Sequence, residues 1–161
     1  MKNILLKPIG VVHSPYIEPK GVPIQPARNN NIKGSIEIFP EFAKGLKDIE
    51  GFSHIFLIYN FHLINKTSLS VIPFLDYQSR GVYSTRAPNR PNHIGLSLVS
   101  LLKVEDNILH ICEFDIIDGT PILDIKPCIP DFDFTNVNKT GWFEKAPKKL
   151  SLTKDDGRFI K

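Results

Sequence analysis

Thirteen prolines are spread through 161 residues, many of them set between short apolar runs. Proline fixes φ near about −65° and carries no N–H, so it breaks helix interiors and is kept out of central strands. Pro15, Pro19, Pro23 and Pro26 fall within twelve residues, which leaves that stretch neither helix nor central strand. It keeps the apolar anchors Tyr16, Val22 and Ile24 and reads as a long ordered loop. The segments between the prolines are short and rich in β-branched and aromatic residues, a pattern of many short strands with tight connections.

The strands are expected in order. Ile9–His13 is the first, and Gly34–Phe39 alternates apolar and polar residues. Pro40 opens one short amphipathic helix through Phe42, Ala43, Leu46 and Ile49, ending near Gly51. Ser53–Phe61 (SHIFLIYNF) is nearly all apolar and reads as a central buried strand. Short β runs follow around Val71–Ile72 and at Gly81–Ser84. Ile94–Val104 and Ile108–Ile117 are strands joined through the hairpin signal Asp106-Asn107. The turn Asp118-Gly119-Thr120-Pro121 leads into Ile122–Ile125. With one helix and no βαβ units, the fold class is mainly β: a closed or half-closed barrel of about seven short strands. The length is that of one domain, residues 1–143, followed by a basic tail, residues 144–161, expected to be loosely ordered.

Composition narrows the function. The net charge of +3 gives a mild bias toward anionic partners, short of the basic stripe of a non-specific nucleic-acid binder. Cys112 and Cys128 form neither a disulfide framework nor a zinc motif, so no metal is expected. Lys7, Pro8 and Gly10 interrupt the apolar N-terminus, no signal peptide is read there, and no run approaches the ~20 apolar residues of a membrane helix. The expected location is the cytoplasm. The absence of GxGxxG, P-loop, HExxH and GxSxG motifs excludes a Rossmann-type nucleotide domain.

Polar residues concentrate in three places. Gln25-Pro26-Ala27-Arg28 lies in the early loop. His62 follows the apolar strand, placed for a general base or a strand cap. Arg86 and Arg90, stiffened by Pro88 and Pro91, form an anion platform within Gly81–Leu102, and Asp118 sits in the turn beyond. For each, the plain structural role of a surface loop or turn stays open at this level.

Five blocks, in order, carry a resemblance: IGVVHSPY (Ile9–Tyr16), QPAR (Gln25–Arg28), GFSHIFLIYNFH (Gly51–His62), GVYSTRAPNRPNHIGLSLVSL (Gly81–Leu101) and DIIDGTPILDIKP (Asp115–Pro127). Together they resemble the TsaA/TrmO family over about residues 9 to 130. The resemblance implies an S-adenosyl-L-methionine-dependent methyltransferase on a β-barrel, acting as a homodimer with its site near the interface. The implied substrate is the carbamoyl-bearing exocyclic nitrogen of threonylcarbamoyl-adenosine in the tRNA anticodon loop. A non-catalytic S-adenosylmethionine- or nucleotide-binding regulator, and a methyltransferase for another small substrate, are the competing readings. Carried over residue by residue, cofactor contacts fall on Gln25, Pro26, Ala27, Phe61, His62, Leu63, Arg86, Arg90, Leu96, Leu98, Asp118, Gly119, Thr120 and Pro121. The catalytic candidates are His62, Asp118, Arg86 and Arg90. Tyr83, Trp142, Lys145, Lys148 and Lys149 are candidates for RNA contact. The chain departs from the family pattern at His93, where RPNHIG stands in place of a frequent RPNPIG, and at Leu63, where bacterial relatives often carry Gln.

Overall fold

A computed structural model describes residues 3–26, 32–146 and 153–160. Among the described residues there are eight strands: β1 (Gly10–His13), β2 (Lys33–Ile38), β3 (His54–Asn60), β4 (Ser70–Val71), β5 (Arg80–Gly81), β6 (Ile94–Glu105), β7 (Ile108–Cys112) and β8 (Pro121–Pro127). Six close into an antiparallel barrel in the order β1-β2-β7-β6-β3-β8, and β4 and β5 form a separate two-stranded ribbon. Closure gives every barrel strand a neighbour on both sides, with the shortest seam, two pairs, between β1 and β8.

Alternation along each strand builds the core. Ile55, Leu57 and Tyr59 of β3 point inward, as do Gly95, Ser97 and Val99 of β6. They meet Val12, Ile36, Leu109, Ile111 and Ile122 from the other strands. Burying each such aliphatic side chain contributes roughly 1.5–3 kcal/mol. The inward register also sets up a close approach. Tyr59 pairs directly with Gly95, and a Cβ on Gly95 would lie 2.3 Å from the Tyr59 ring. Only a glycine lets the ring lie flat across β6.

Three elements differ from the sequence expectation. The stretch after Pro40 forms two 3-10 helices, Pro40–Leu46 and Ile49–Gly51, rather than one α-helix. Asp48 between them stands at φ 68°, and a left-handed residue ends any α-helical ladder. Among the described residues the α-helix is instead the short α1 (Pro130–Asp133). Gly81–Ser84 is not a strand: pairing stops at Gly81, and Val82–Ser84 is a 3-10 turn. The strand expected over Ile108–Ile117 leaves the sheet after Cys112, where Glu113 takes φ 57°. Phe114 and Ile116 still face the core, so the alternation persists where the ladder does not.

The chain end adds a feature the residue types obscured. Residues 153–160, inside the expected tail, dock along the early loop. Gly21 N–H donates to Asp155 O and Asp155 N–H to Val22 O, both at 2.8 Å. Phe159 is buried with Ile64, Val71, Val82 and Ala87, and its ring meets Phe74 edge-on at 5.2 Å. One aromatic anchor outweighs the surrounding lysines.

Gly95→Ala is expected to destabilise the barrel by about 1–3 kcal/mol through overpacking against Tyr59, with Tm falling about 2–4 °C per kcal/mol. Gly45→Ala, where nothing lies within 4 Å of the added methyl, is the control expected to leave Tm within about 2 °C. Thermal unfolding of the two variants checks this, and an unshifted G95A curve would contradict the packing of Tyr59 on Gly95.

Candidate functional site

β3 ends at the same end of the barrel where β6 and β8 begin, because β3 runs antiparallel to both. Loops gather there over Tyr59 and Gly95 and enclose a cavity of ≈ 820 Å³. Its walls come from the early loop (Val22 to Gln25), the end of β3 with the segment after it (Tyr59, Phe61 to Ile64), Pro73 to Leu75, the Tyr83–Arg90 loop, the start of β6 (Ile94 to Leu96), Asp115 to Ile117 with Thr120, and Thr140 with Trp142 and Phe143. Asp155, Phe159 and Ile160 of the docked chain end complete them.

Of the residues expected from the sequence, Gln25, Phe61, His62, Leu63, Arg86, Arg90, Leu96 and Thr120 line this cavity. Pro26, Leu98, Asp118, Gly119 and Pro121 do not. Leu98 is half-buried on the outer face of β6, opposite Phe56. Pro121 is the first residue of β8 and pairs with Val11. Gly119 stands at φ 73° in the turn. The Asp118 carboxylate accepts the Ser14 backbone N–H at 2.8 Å, and its own N–H donates to Tyr16 O at 2.7 Å. Asp118 is therefore engaged in tying the turn to the early loop. Ala27, Arg28, Lys148 and Lys149 lie outside the described residues.

The two arginines, equivalent by composition, have separate tasks. Arg90 Nη1 donates to Val82 O at 3.2 Å and Thr85 O at 2.9 Å, and its guanidinium lies 5.8 Å from the Tyr83 ring centre. That side chain clamps the turn after β5. Arg86 is exposed at the cavity wall, and its Nη1 donates to Gln25 Oε1 at 2.8 Å. A neutral amide does not neutralise the guanidinium, whose charge also acts on the nearby Asp115 carboxyl. Asn89 fixes the loop between them: its buried amide donates to Lys66 O at 3.2 Å and Phe159 O at 3.1 Å. His93 takes φ 48°, which a proline ring at about −65° could not adopt without rebuilding the loop. Its carbonyl accepts Phe61 N–H at 2.8 Å, extending the β3–β6 pairing into the cavity rim.

Two groups in the wall were not singled out by the sequence. Asp115 Oδ1 accepts the Ser97 hydroxyl at 2.7 Å, and Ser97 Oγ lies 3.1 Å from the Tyr59 hydroxyl. Burial raises the Asp115 carboxyl to about 6, against the lowering influence of Ser97 and the Arg86 charge. Burial, then the Asp115 charge, drives the Tyr59 phenol upward, so it stays protonated. Burial holds His62 below the ordinary imidazole value. The second group is Asp155, also raised by burial, on a wall built from the chain end. A carboxylate inside the apolar run Phe114-Asp115-Ile116-Ile117 was the one sequence signal for the first, and Asp155 had none.

The division of labour between the arginines is testable. Arg90→Ala is expected to cost about 1–3 kcal/mol of stability by removing the donor to the Thr85 carbonyl and one of the donors to Val82 O, which Thr85 also serves through its N–H and hydroxyl, read as a lowered denaturation midpoint. Arg86→Ala is expected to unfold at the wild-type midpoint.

The family model for the tRNA-methyltransferase O N-terminal domain matches residues 11–134. A probable S-adenosyl-L-methionine-binding protein of Pyrococcus abyssi is 53% identical over 157 residues, covering 98% of this chain and 85% of that protein. The mouse tRNA (adenine(37)-N6)-methyltransferase is 38% identical over 160 residues, covering 95% of this chain and 34% of that protein. The crystal structure of TrmO from Pseudomonas aeruginosa superposes with a TM-score of 0.73 at 34% identity, covering 88% of this chain and 63% of that one. The chain thus spans less than two thirds of the mouse and Pseudomonas proteins. With the barrel, the match along most of its length and these relatives in agreement, the chain belongs to the tRNA-methyltransferase O N-terminal domain family.

Proposed function

We infer that the protein is an S-adenosyl-L-methionine-dependent tRNA methyltransferase, and that the nitrogen it methylates is the carbamoyl-bearing exocyclic nitrogen of threonylcarbamoyl-adenosine in the anticodon loop. The observation that carries the reading is the composition of the large cavity. Its ≈ 820 Å³ falls toward the upper end of small-molecule sites, with room for a nucleoside cofactor beside a splayed base. Family membership and the names of the relatives support the cofactor and the RNA substrate.

The residues present suit S-adenosylmethionine. Phe61, Ile64, Phe74 and Phe159 offer apolar faces to a purine, and Arg86, oriented by Gln25, offers a fork to a carboxylate. Bound there, the cofactor supplies an electrophilic methyl group on a sulfonium. The chain's own contribution is position, on a rigid floor from Tyr59 and Gly95.

RNA reaches the cavity along a rim that supports aromatic and cationic contact. Tyr83 is 73% exposed beside the opening. Trp142 Nε1 donates to Ser84 O at 2.8 Å, and the Arg80 guanidinium lies 5.9 Å from the Trp142 ring centre. Lys145 lies in a neighbouring cleft that shares Leu75 and Trp142 with the cavity. Splayed anticodon bases stack on such rings while phosphates pair with the cations. The reading carries a homodimer and a cytoplasmic location with it. Among the described residues no helix is long and apolar enough to cross a membrane.

The test is incubation of the purified protein with methyl-labelled S-adenosylmethionine and either tRNA bearing threonylcarbamoyl-adenosine or the same tRNA lacking it. Label is expected in the modified nucleoside only. Cofactor binding without transfer would favour a regulator, and label in unmodified adenosine would reject the proposed nitrogen. Arg86→Ala is expected to lower kcat/KM on the modified tRNA by about ten- to a hundredfold, the weight of one charge-assisted contact.

A further inference from the structure

We propose that Asp115 is a catalytic residue, the group that accepts the proton leaving the nucleophilic nitrogen as the methyl group arrives. The proposal rests on the methyl-transfer reading above. A carbamoyl-substituted nitrogen is a weak nucleophile because its lone pair is delocalised into the carbonyl. Losing its proton in the transition state is what makes it competent, and a positioned base contributes about 10²–10⁴-fold to such a step.

Geometry selects Asp115 from the groups available. It lines the cavity, on the segment where the chain has left β7 and alternation turns Phe114 and Ile116 to the core. One carboxylate oxygen, Oδ1, takes the Ser97 hydroxyl at 2.7 Å, and that hydroxyl is itself within 3.1 Å of the Tyr59 hydroxyl. The pair Tyr59–Ser97 is rooted in the barrel interior, where both residues are buried. A rigid chain of hydroxyls thus orients the carboxylate from behind. The charged and titratable groups facing it are Tyr59 from β3 and Arg86 from the Tyr83–Arg90 loop, with His62 and Asp155 elsewhere in the same cavity wall. Asp118, the other carboxylate of the DIIDGTP block, is engaged with Ser14 N–H and does not line the cavity. Burial weakens His62 as a proton acceptor, and leaves the carboxyl of Asp115 near 6, a stronger base than an ordinary carboxylate and still ionised at neutral pH.

The step balances. The nitrogen gains a bond to the methyl carbon as the bond from that carbon to the sulfonium sulfur breaks and its electron pair stays on sulfur. The N–H bond breaks, its pair remains on nitrogen, and the proton passes to a carboxylate oxygen of Asp115. The positive sulfonium and the negative carboxylate disappear together, leaving a thioether, a methylated nitrogen and a neutral carboxylic acid. The acid returns its proton to solvent before the next turnover.

The test combines binding, titration and rate on the whole protein. Asp115→Asn is expected to bind S-adenosylmethionine within threefold of wild type by calorimetry, while kcat falls by about a hundredfold or more. In wild type, kcat/KM is expected to rise with pH through a midpoint near 6, and a carboxyl ¹³C resonance of the free protein, absent from the D115N spectrum, titrates with it. Ser97→Ala removes a donor that favours the ionised form, so both midpoints are expected to move to higher pH. Stability gives a readout independent of turnover. The folded carboxyl stands above its ordinary 3.8, so the stability it favours is present below about pH 4 and is lost as pH rises through about 6. D115N lacks that loss.

A tenfold weaker affinity for the cofactor with unchanged kcat at saturation makes Asp115 a binding group and overturns the proposal. A pH limb that persists in D115N and vanishes in His62→Gln overturns it in favour of the histidine. Wild-type turnover on unmodified adenosine alone rejects the substrate nitrogen but not Asp115, whose profile is then measured on that RNA. Wild-type protein that transfers methyl to no RNA removes both.

Discussion

The register of β3 against β6 is the constraint on which the site depends. Seven consecutive pairs, His54↔Ser100 to Asn60↔Ile94, fix it. In that register Tyr59 faces Gly95, its ring fills the space a side chain would take, and its hydroxyl comes within reach of Ser97. A slip of one residue would turn Tyr59 outward and bring Phe56 and Ile58 into the core, because side chains alternate with period two. It would also remove Ser97 from the barrel interior and leave Asp115 without its donor. The hydrophobic pattern that selects the register for packing therefore also positions the polar groups at the cavity floor.

Held in that register, the loops at the barrel end divide their polar residues between scaffold and site. Arg90, Asn89 and Asp118 direct their hydrogen bonds to backbone groups of neighbouring turns. A loop carries many backbone N–H and C=O groups with no ladder to join, and these side chains satisfy some of them. Arg86 and Asp115 are what remains: one cation and one carboxylate whose partners are neutral Gln25 and Ser97. Neither is neutralised by a direct ion pair among the described contacts. A charge left facing a cavity without a direct ion pair costs folding free energy.

The barrel was legible in the sequence because its evidence is local. The apolar run Ser53–Phe61, the alternation from Ile94, the Asp106-Asn107 turn and the prolines between runs each report on adjacent residues. The misreadings were also local in origin. Apolar spacing after Pro40 fits a 3-10 helix nearly as well as an α-helix until Asp48 turns left-handed. Tyr83 lies in an apolar-polar alternation, yet the chain turns at Val82, where the Thr85 N–H and hydroxyl close on the Val82 carbonyl and Arg90, eight residues on, adds a third donor. At the site, residue type identified the arginine loop but not which arginine faces inward. Choosing Asp115 over Asp118 required knowing that Ser14, 104 residues away, sits beside Asp118. Phe159, the anchor of the docked end, is one aromatic among basic and acidic neighbours and has no periodicity to announce it.

The walls of the cavity are also unequal in what holds them. The floor belongs to the closed barrel, where Tyr59 and Ser97 cannot move without disturbing pairs on both sides of β3 and β6. The wall formed by residues 153–160 is held by a few backbone bonds to Gly21, Val22 and Ile24, by the Asn89 and Arg158 side chains, and by Phe159 against Phe74. Local opening draws on the elements with the fewest buried contacts, and this wall has no ladder of the length that joins β3 to β6. Asn89 joins the two. Its side-chain amide bridges the Phe159 carbonyl and the Lys66 carbonyl from within the arginine loop, so the chain end and the loop that carries Arg86 are coupled through one buried side chain. The cavity thus has a floor fixed by the barrel ladders and one wall held by a few loop contacts.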